Sequence, residues 1–304
     1  MLDEIRTFVV LTEAGSLQRA AERLFLTPSA VTRQIQRLEA ELKTPLLDRR
    51  VKPARITREG RAVLDGGRHV LRIVDDLKAS ASKDAEPSGV FRIGLSHALA
   101  QPDLVASIQR LTRRFTRLRP VLSTDLTQNL KTQVRTGDLD VALALLAPDG
   151  TTPADITSTI LAAEHLVLVR AKGSRPRPRR GRESRKHDLD ARWVLNPPGC
   201  LIRSALEVRL RELGSPLEVA AEINNIEMQL SLVASGIGLG IVPARFLATH
   251  PKRKRLERIA HSGVNVGASI MFMRAGHLGR LEAAATFLEQ AFREHFNGTR
   301  RSRA

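Results

Sequence analysis

Residues 17–42 read LQRAAERLFLTPSAVTRQIQRLEAEL, and the way this stretch breaks into two helices decides the N-terminal fold. Leu17, Ala20, Ala21 and Leu24 share one face of a short helix, and the small alanines let a second helix come close. Thr27-Pro28 marks a new start: a threonine hydroxyl can accept from a first-turn amide, and proline at the first helical position gives up no helical hydrogen bond. Val31, Ile35, Leu38 and Leu42 form the apolar face of the helix that follows. Ser29, Thr32, Arg33 and Gln36 lie opposite. Short hydroxyls suit phosphates, and Arg and Gln can hydrogen-bond base edges in a major groove. A solvated polar face would look the same on this helix alone.

Working outward, Leu2, Ile5, Phe8, Val9 and Thr12 make a helical stripe that Gly15 ends, with Ser16 placed to cap the next helix. The short helix, a tight turn at Phe25–Thr27 and the polar-faced helix together make a helix-turn-helix. Beyond it, Pro45–Arg50 and Arg55–Thr57 flank the basic tip Val51-Lys52-Pro53-Ala54, the pattern of a wing that touches DNA backbone or minor groove.

The run Phe8…Ala14-Gly15-Ser16-Leu17…Ala20-Ala21-Glu22-Arg23-Leu24…Thr27-Pro28-Ser29-Ala30-Val31-Thr32-Arg33-Gln34-Ile35…Leu38-Glu39…Leu42…Pro45-Leu46…Arg49…Thr57…Gly60 resembles the LysR-type signature over the whole domain, without gaps. The resemblance implies DNA contacts from Pro28, Ser29, Thr32 and Arg33 on the recognition helix and from Arg49 on the wing, and Gln36 joins them from the polar face. Many members carry glutamine where this chain has Pro28, which removes one base contact, and phenylalanine where it has Leu47.

Thr57 can cap a helix running to about Ser82. Val63, Val70 and Leu77 recur every seven residues, each followed four residues on by Gly67, Val74 and Ala81, a short heptad seam. A helix packed on its own domain would show a similar stripe. The family resemblance implies homodimerisation here, through Val63, Val70, Val74 and Leu77, with a dimer or tetramer as the outcome. Lys83–Gly89 reads as a hinge.

From Val90 on, short apolar runs (Val90–Leu95, Val121–Leu126, Asp140–Leu146, Leu166–Val169, Trp193–Leu195, Glu218–Ile223, Leu239–Val242, Ile270–Met273) alternate with helical stretches. The helices expected are Asp103–Leu118, Asn129–Arg135, Leu201–Leu213, Ile226–Ala234 and one across Leu278–Phe296. Such alternation predicts an α/β fold with mostly parallel sheets. Phe91–Gly94, Gly137–Leu143 and Leu232–Pro243 resemble the LysR-type effector domain, which implies a periplasmic-binding-protein-like architecture of two subdomains around a cleft. The expected organisation is therefore an all-α winged helix-turn-helix over 1–60, a linker and dimerisation helix over 57–88, and an α/β effector domain over 89–304. Within the last, subdomain I covers about 89–161 and 267–304 and subdomain II about 162–266, with hinges near Leu161 and Gly267.

Ligands of open α/β sheets gather beyond the C-terminal strand ends, where helix N-termini offer free amides. That rule selects Ser96 and His97, then Thr127 and Gln128, then Asn196–Cys200 (Gly199 and Cys200 among them) with Arg203 one turn on, and Asn225. An anion such as a carboxylate would suit them. Ser96 and Asn225 could equally be helix caps, and Arg203 a surface residue. Cys200, just before a helix, could be a reactive low-pKa thiol or simply a lining group.

The formal charge is +17, yet residues 1–60 carry only +3 of it; Arg175–Lys186, Lys252–Arg258 and the C-terminal tail hold most of the excess. Double-stranded DNA and a small-molecule effector are the expected partners, with RNA polymerase a further candidate, and a general architectural DNA-binding protein without ligand response is the alternative reading. A single cysteine leaves no internal disulfide and fits a cytoplasmic protein. No apolar run approaches a bilayer span, and no signal peptide is evident. Gly236–Gly240 lacks dinucleotide-loop spacing, no histidine pair has zinc spacing, and no nucleophile elbow or Walker loop occurs, so neither cofactor, metal nor catalytic residue is expected. Tyrosine is absent and other aromatics scarce, which disfavours an aromatic effector.

Overall fold

The computed structural model describes the chain apart from residues 52–53, 81–85, 148–149, 151, 153, 175–188, 190, 261–263, 265 and 302–304. The wing tip Lys52-Pro53, the seam position Ala81, the first three residues of the expected hinge and the Arg175–Lys186 stretch thus lie outside the described residues.

Helices α1 (Leu2–Ala14), α2 (Leu17–Leu24) and α3 (Pro28–Leu42) pack around Phe8, Ala20, Val31, Ile35 and Leu38, all at 1% exposure or less. Gly15 ends α1 at φ 68°, the left-handed conformation that costs glycine least. Ser16 accepts from the Arg19 amide and Thr27 from the Ala30 amide, so both caps act as the sequence suggests. Strands β1 (Leu47–Asp48) and β2 (Arg55–Ile56) pair antiparallel as the wing. Thr57 then caps α4 (Arg58–Ser80), its hydroxyl accepting from the Gly60 amide at 2.9 Å and donating to the Pro45 carbonyl.

The linker helix uses much of its apolar surface within its own domain. Val63, Leu64 and Leu71 pack on the N-terminal core, and a Cβ on Gly67 would stand 2.8 Å from the Ile5 side chain, so the glycine lets α4 lie close against α1. Val70, Ile73 and Leu77 face outward, Leu77 with 70% of its surface exposed.

Beyond it come β3 (Gly89–Ser96), α5 (Val105–Arg114), β4 (Leu118–Asp125), α6 (Thr127–Thr136), β5 (Val141–Leu146) and β6 (Thr157–Ala171). Next are β7 (Arg192–Leu195), α7 (Leu201–Glu212), β8 (Glu218–Glu222), α8 (Ile226–Ala234), β9 (Gly240–Pro243) and α9 (Ala244–Thr249). The chain closes with β10 (Leu256–Ile259), β11 (Val266–Arg274) and α10 (Glu282–Arg301). A seven-stranded sheet runs β10-β6-β11-β5-β3-β4, with β9 also on β6, while β7 and β8 form a separate parallel pair.

The sheet is mixed rather than mostly parallel. β3 pairs parallel with β4 and β5, but β11 runs antiparallel to β5 and β6, and β6 antiparallel to β9 and β10. The expectation failed because β6 is far longer than Leu166–Val169: it passes the length of the sheet and recruits strands at both ends. Opposite Ile270 and Met271, its pairing skips from Ala162 to Ile160, leaving Leu161 as the bulged residue. β5 is buried along all six residues, as a central strand covered on both faces must be. Gly94 of β3 makes that covering close: a Cβ there would fall 2.4 Å from Leu139 and 2.7 Å from Leu130 of α6.

Candidate nucleic-acid interface and ligand cleft

Helix α3 presents Pro28, Ser29, Arg33 and Gln36 to solvent, with Thr32 half-buried beside them. The Thr32 hydroxyl donates to the Pro28 carbonyl at 2.9 Å, and the Thr27 and Ser29 hydroxyls lie 3.0 Å apart, so this end of the helix carries three hydroxyls in one cluster. Arg33 makes no ion pair among the described residues, leaving its guanidinium available. Gln34, between them in sequence, turns the other way and accepts from Thr7 of α1, fixing α3 against its neighbour. Arg49 on the wing is instead held, its Nη2 donating to Glu39 at 2.9 Å.

The second site is a cleft of about 440 Å³, counting its open mouth. Four strand ends meet there: Ser96 at the end of β3 with His97 after it, Asp125 at the end of β4, Leu145 in β5 and Asn196 after β7. Facing them are the first residues of three helices, Thr127 of α6, Leu201 and Ile202 of α7, and Ile226 of α8, together with Cys200. Helix N-termini carry partial positive charge and unpaired amides. Asp125 offsets part of that at α6: its Oδ1 accepts from the Leu126 amide and from Asn129, both at 2.7 Å, and its Oδ2 from Gln133 at 3.1 Å. The Thr127 hydroxyl donates to the Leu145 carbonyl. Ser96 differs: its hydroxyl is buried and has no hydrogen-bond partner among the described residues. No lysine or arginine lines the cleft among the described residues.

Of the residues selected from sequence, the structure brings Ser96, His97, Thr127, Asn196 and Cys200 together in this cleft. Gln128, Gly199, Arg203 and Asn225 lie outside its lining. Asn225 caps α8, accepting from the Met228 amide at 2.8 Å. Arg203 is tied to Glu207 at 2.7 Å, to Glu222 at 2.6 Å and to the Asn196 carbonyl at 3.0 Å. Gly199 takes φ +89° in the turn before α7. Burial pushes the Cys200 thiol up rather than down, because desolvation outweighs the amides of Ile202 and Arg203, so the low-pKa reading of this cysteine does not hold. Asp125 is missed from sequence because the apolar pattern carries the end of β4 one residue too far, to Leu126.

A winged helix-turn-helix joined by a long helix to an α/β domain with a cleft at its strand ends defines a DNA-binding regulator with a sensing domain. Two family models match the chain, "Bacterial regulatory helix-turn-helix protein, lysR family" over residues 2–61 and "LysR substrate binding domain" over residues 84–296. The chain belongs to the LysR family of transcriptional regulators. It is 26% identical to the HTH-type transcriptional regulator YofA of Bacillus velezensis over 254 residues, 83% of this chain and 84% of that one. It is 29% identical to CzcR of Bacillus cereus over 243 residues, 80% of each chain. A full-length OxyR variant of Pseudomonas aeruginosa shares the fold with a TM-score of 0.75 at 20% identity, covering 96% of this chain and 94% of that one. Full-length CbnR, solved with its target DNA, matches with a TM-score of 0.59 at 19% identity over 96% of this chain and 99% of that one. No helix among the described residues is long and apolar enough to cross a membrane.

Proposed function

We propose that this regulator reads DNA with Pro28, Ser29, Thr32, Arg33 and Gln36 of α3, and that a small carboxylate-bearing effector in the cleft controls it. The reading face is supported by the exposed, unpaired Arg33 among clustered hydroxyls at the start of α3. For the effector, the buried Ser96 hydroxyl without a partner is the observation that carries most, since such a group has a ligand's hydrogen bond to gain. The three helix N-termini around it favour negative charge over positive, and the absence of lining cations among the described residues favours one charge over several. Arg203, once neutralised by two glutamates, acts as a brace behind the cleft rather than as the anion's partner.

In this reading residues 1–60 form the DNA-binding unit, 57–88 the linker, and 89–304 the sensing domain, hinged where β6 and β11 cross between its halves. Val70, Val74 and Leu77 serve a homodimer, with Val63 supporting α4 from behind. The protein works in the cytoplasm and catalyses nothing.

The test is binding of the purified protein to DNA upstream of its own gene, against a scrambled duplex at near-physiological salt. A preference of about a thousandfold is expected for specific regulation. Arg33→Ala then loses roughly 1–3 kcal/mol of discrimination at one base pair; equal loss on every sequence would make Arg33 a phosphate contact instead. Calorimetric titration with small mono- and dicarboxylates against wild type and Ser96→Ala tests the cleft. Binding unaffected by the substitution would refute the role of Ser96.

A further inference from the structure

We propose that Phe25, in the turn ahead of the reading helix, is a specificity residue that lays its ring against a thymine 5-methyl group at the edge of the major groove. The inference rests on the DNA-reading assignment above and adds to it a contact outside the face of α3.

Phe25 closes α2 in the left-handed conformation, φ 55° and ψ 40°. Its amide donates to the Glu22 carbonyl and the Leu26 amide to the Ala21 carbonyl, the crossed pair of bonds that ends many helices with glycine at this position. A side chain with a Cβ is disfavoured there, and a bulky one most of all. Nor does packing compensate, because the ring is 95% exposed. The other eight phenylalanines of the chain are all buried or half-buried. In the free protein, then, neither the helix end nor the core has a use for this ring.

Its surroundings say what would. Phe25 to Ser29 are exposed without a break, and Phe25 stands two residues ahead of the Thr27 cap, at the end of α3 that enters the groove in a helix-turn-helix. Arg19, Arg23 and Arg33 are exposed nearby in the motif and form no ion pair with a carboxylate among the described residues. An apolar ring within a cationic rim complements a groove edge, where phosphates bound a floor whose one apolar feature is the thymine methyl. A protein partner would instead be met by more apolar surface than Phe25 and the one-third-exposed Leu26 supply.

The experiment begins with a site selected from random duplexes by the full-length protein. Each thymine in it is then replaced singly by deoxyuridine, which removes only the methyl group. Wild type is expected to lose about fourfold in affinity at one thymine per half-site, the worth of one buried methyl. Phe25→Asn, whose side chain tolerates the left-handed conformation, should keep or raise the melting temperature, bind the intact site about tenfold more weakly, and become indifferent to that same deoxyuridine. Phe25→Gly provides a second variant suited to the turn. Equal affinity of wild type and both variants would overturn the proposal, as would a deoxyuridine profile unchanged by the substitutions. A wild-type protein that selects no site at all would overturn the DNA-reading assignment, and this contact with it.

Discussion

Glu39 belongs to the recognition helix yet serves the wing. Its Oε1 accepts from the Leu46 amide at 2.8 Å and the Leu47 amide at 3.2 Å, while its Oε2 takes Arg49. One carboxylate thus fixes how the wing leaves α3. Glu39→Ala strands two amides beside the fully buried Leu46, and should cost about 1–3 kcal/mol in urea unfolding; an unchanged midpoint would mean that water replaces the carboxylate. Cys200 gives a prediction with a pH sign. Burial raises its folded pKa above the unfolded value of about 8.5, so the neutral thiol is the form the fold prefers. The stabilisation is complete below that unfolded value and is lost as pH rises through the folded pKa. Melting temperatures should therefore fall more steeply above about pH 8.5 in wild type than in Cys200→Ala, with slow alkylation of the thiol at pH 7. Parallel curves for the two proteins would contradict this.

At the scale of the element, α6 joins two places that matter. Thr127 at its start lines the cleft; at its end the Thr136 hydroxyl donates to Asp138 at 2.9 Å, and Asp138 pairs with Arg68 of the linker helix. Arg68 also reaches Glu13 of α1 at 3.4 Å, so one guanidinium touches DNA-binding domain, linker and sensing domain. Partly exposed ion pairs are each worth about 0–1 kcal/mol, so Arg68→Ala should barely alter the stability of either domain. It should instead separate their calorimetric transitions, and a thermogram identical to wild type would deny the bridge any coupling role. Elements of this kind differ in how far the sequence discloses them. Ile226–Ala234 is read to the residue, because Asn225 caps it and Ile226, Leu230, Val233 and Ala234 keep helical spacing. The start of β6 is missed because Thr157–Thr159 are polar and the one apolar residue beside them, Ile160, is 54% exposed. β10 is missed because the basic run Lys252–Arg258 masks its inward Leu256. In the cleft, the strand-end rule finds Ser96 and Thr127 from local pattern. That Arg203 would be neutralised by Glu222, nineteen residues on, is a tertiary fact with no local trace.

For the molecule as a whole, charge and chain path matter most. Lys172, Lys254, Arg255 and Arg258 are exposed around the edge where β10 meets β6, with the Lys172 amide donating to the Arg255 carbonyl at 2.9 Å. None of the four pairs with a carboxylate among the described residues. Arg175–Lys186 follows soon after Lys172 in the chain and adds seven cations. If this charge meets DNA outside the recognised site, deleting Arg175–Lys186 should flatten the dependence of binding on log salt for long duplexes. It should leave sequence preference intact, and an unchanged slope would sink the idea.

The position of β11 has a consequence for how the protein is born. β5 and β6 are successive strands, yet in the sheet they never touch, because β11 lies between them. A nascent chain that has emerged through Ala171 therefore holds both strands with a gap where a later one belongs. That gap stays open while about a hundred further residues are made. The sensing domain can close only after Arg274 leaves the ribosome, so its halves must wait together in an unfinished state. A chain cut short before Val266 lacks the strand that joins them.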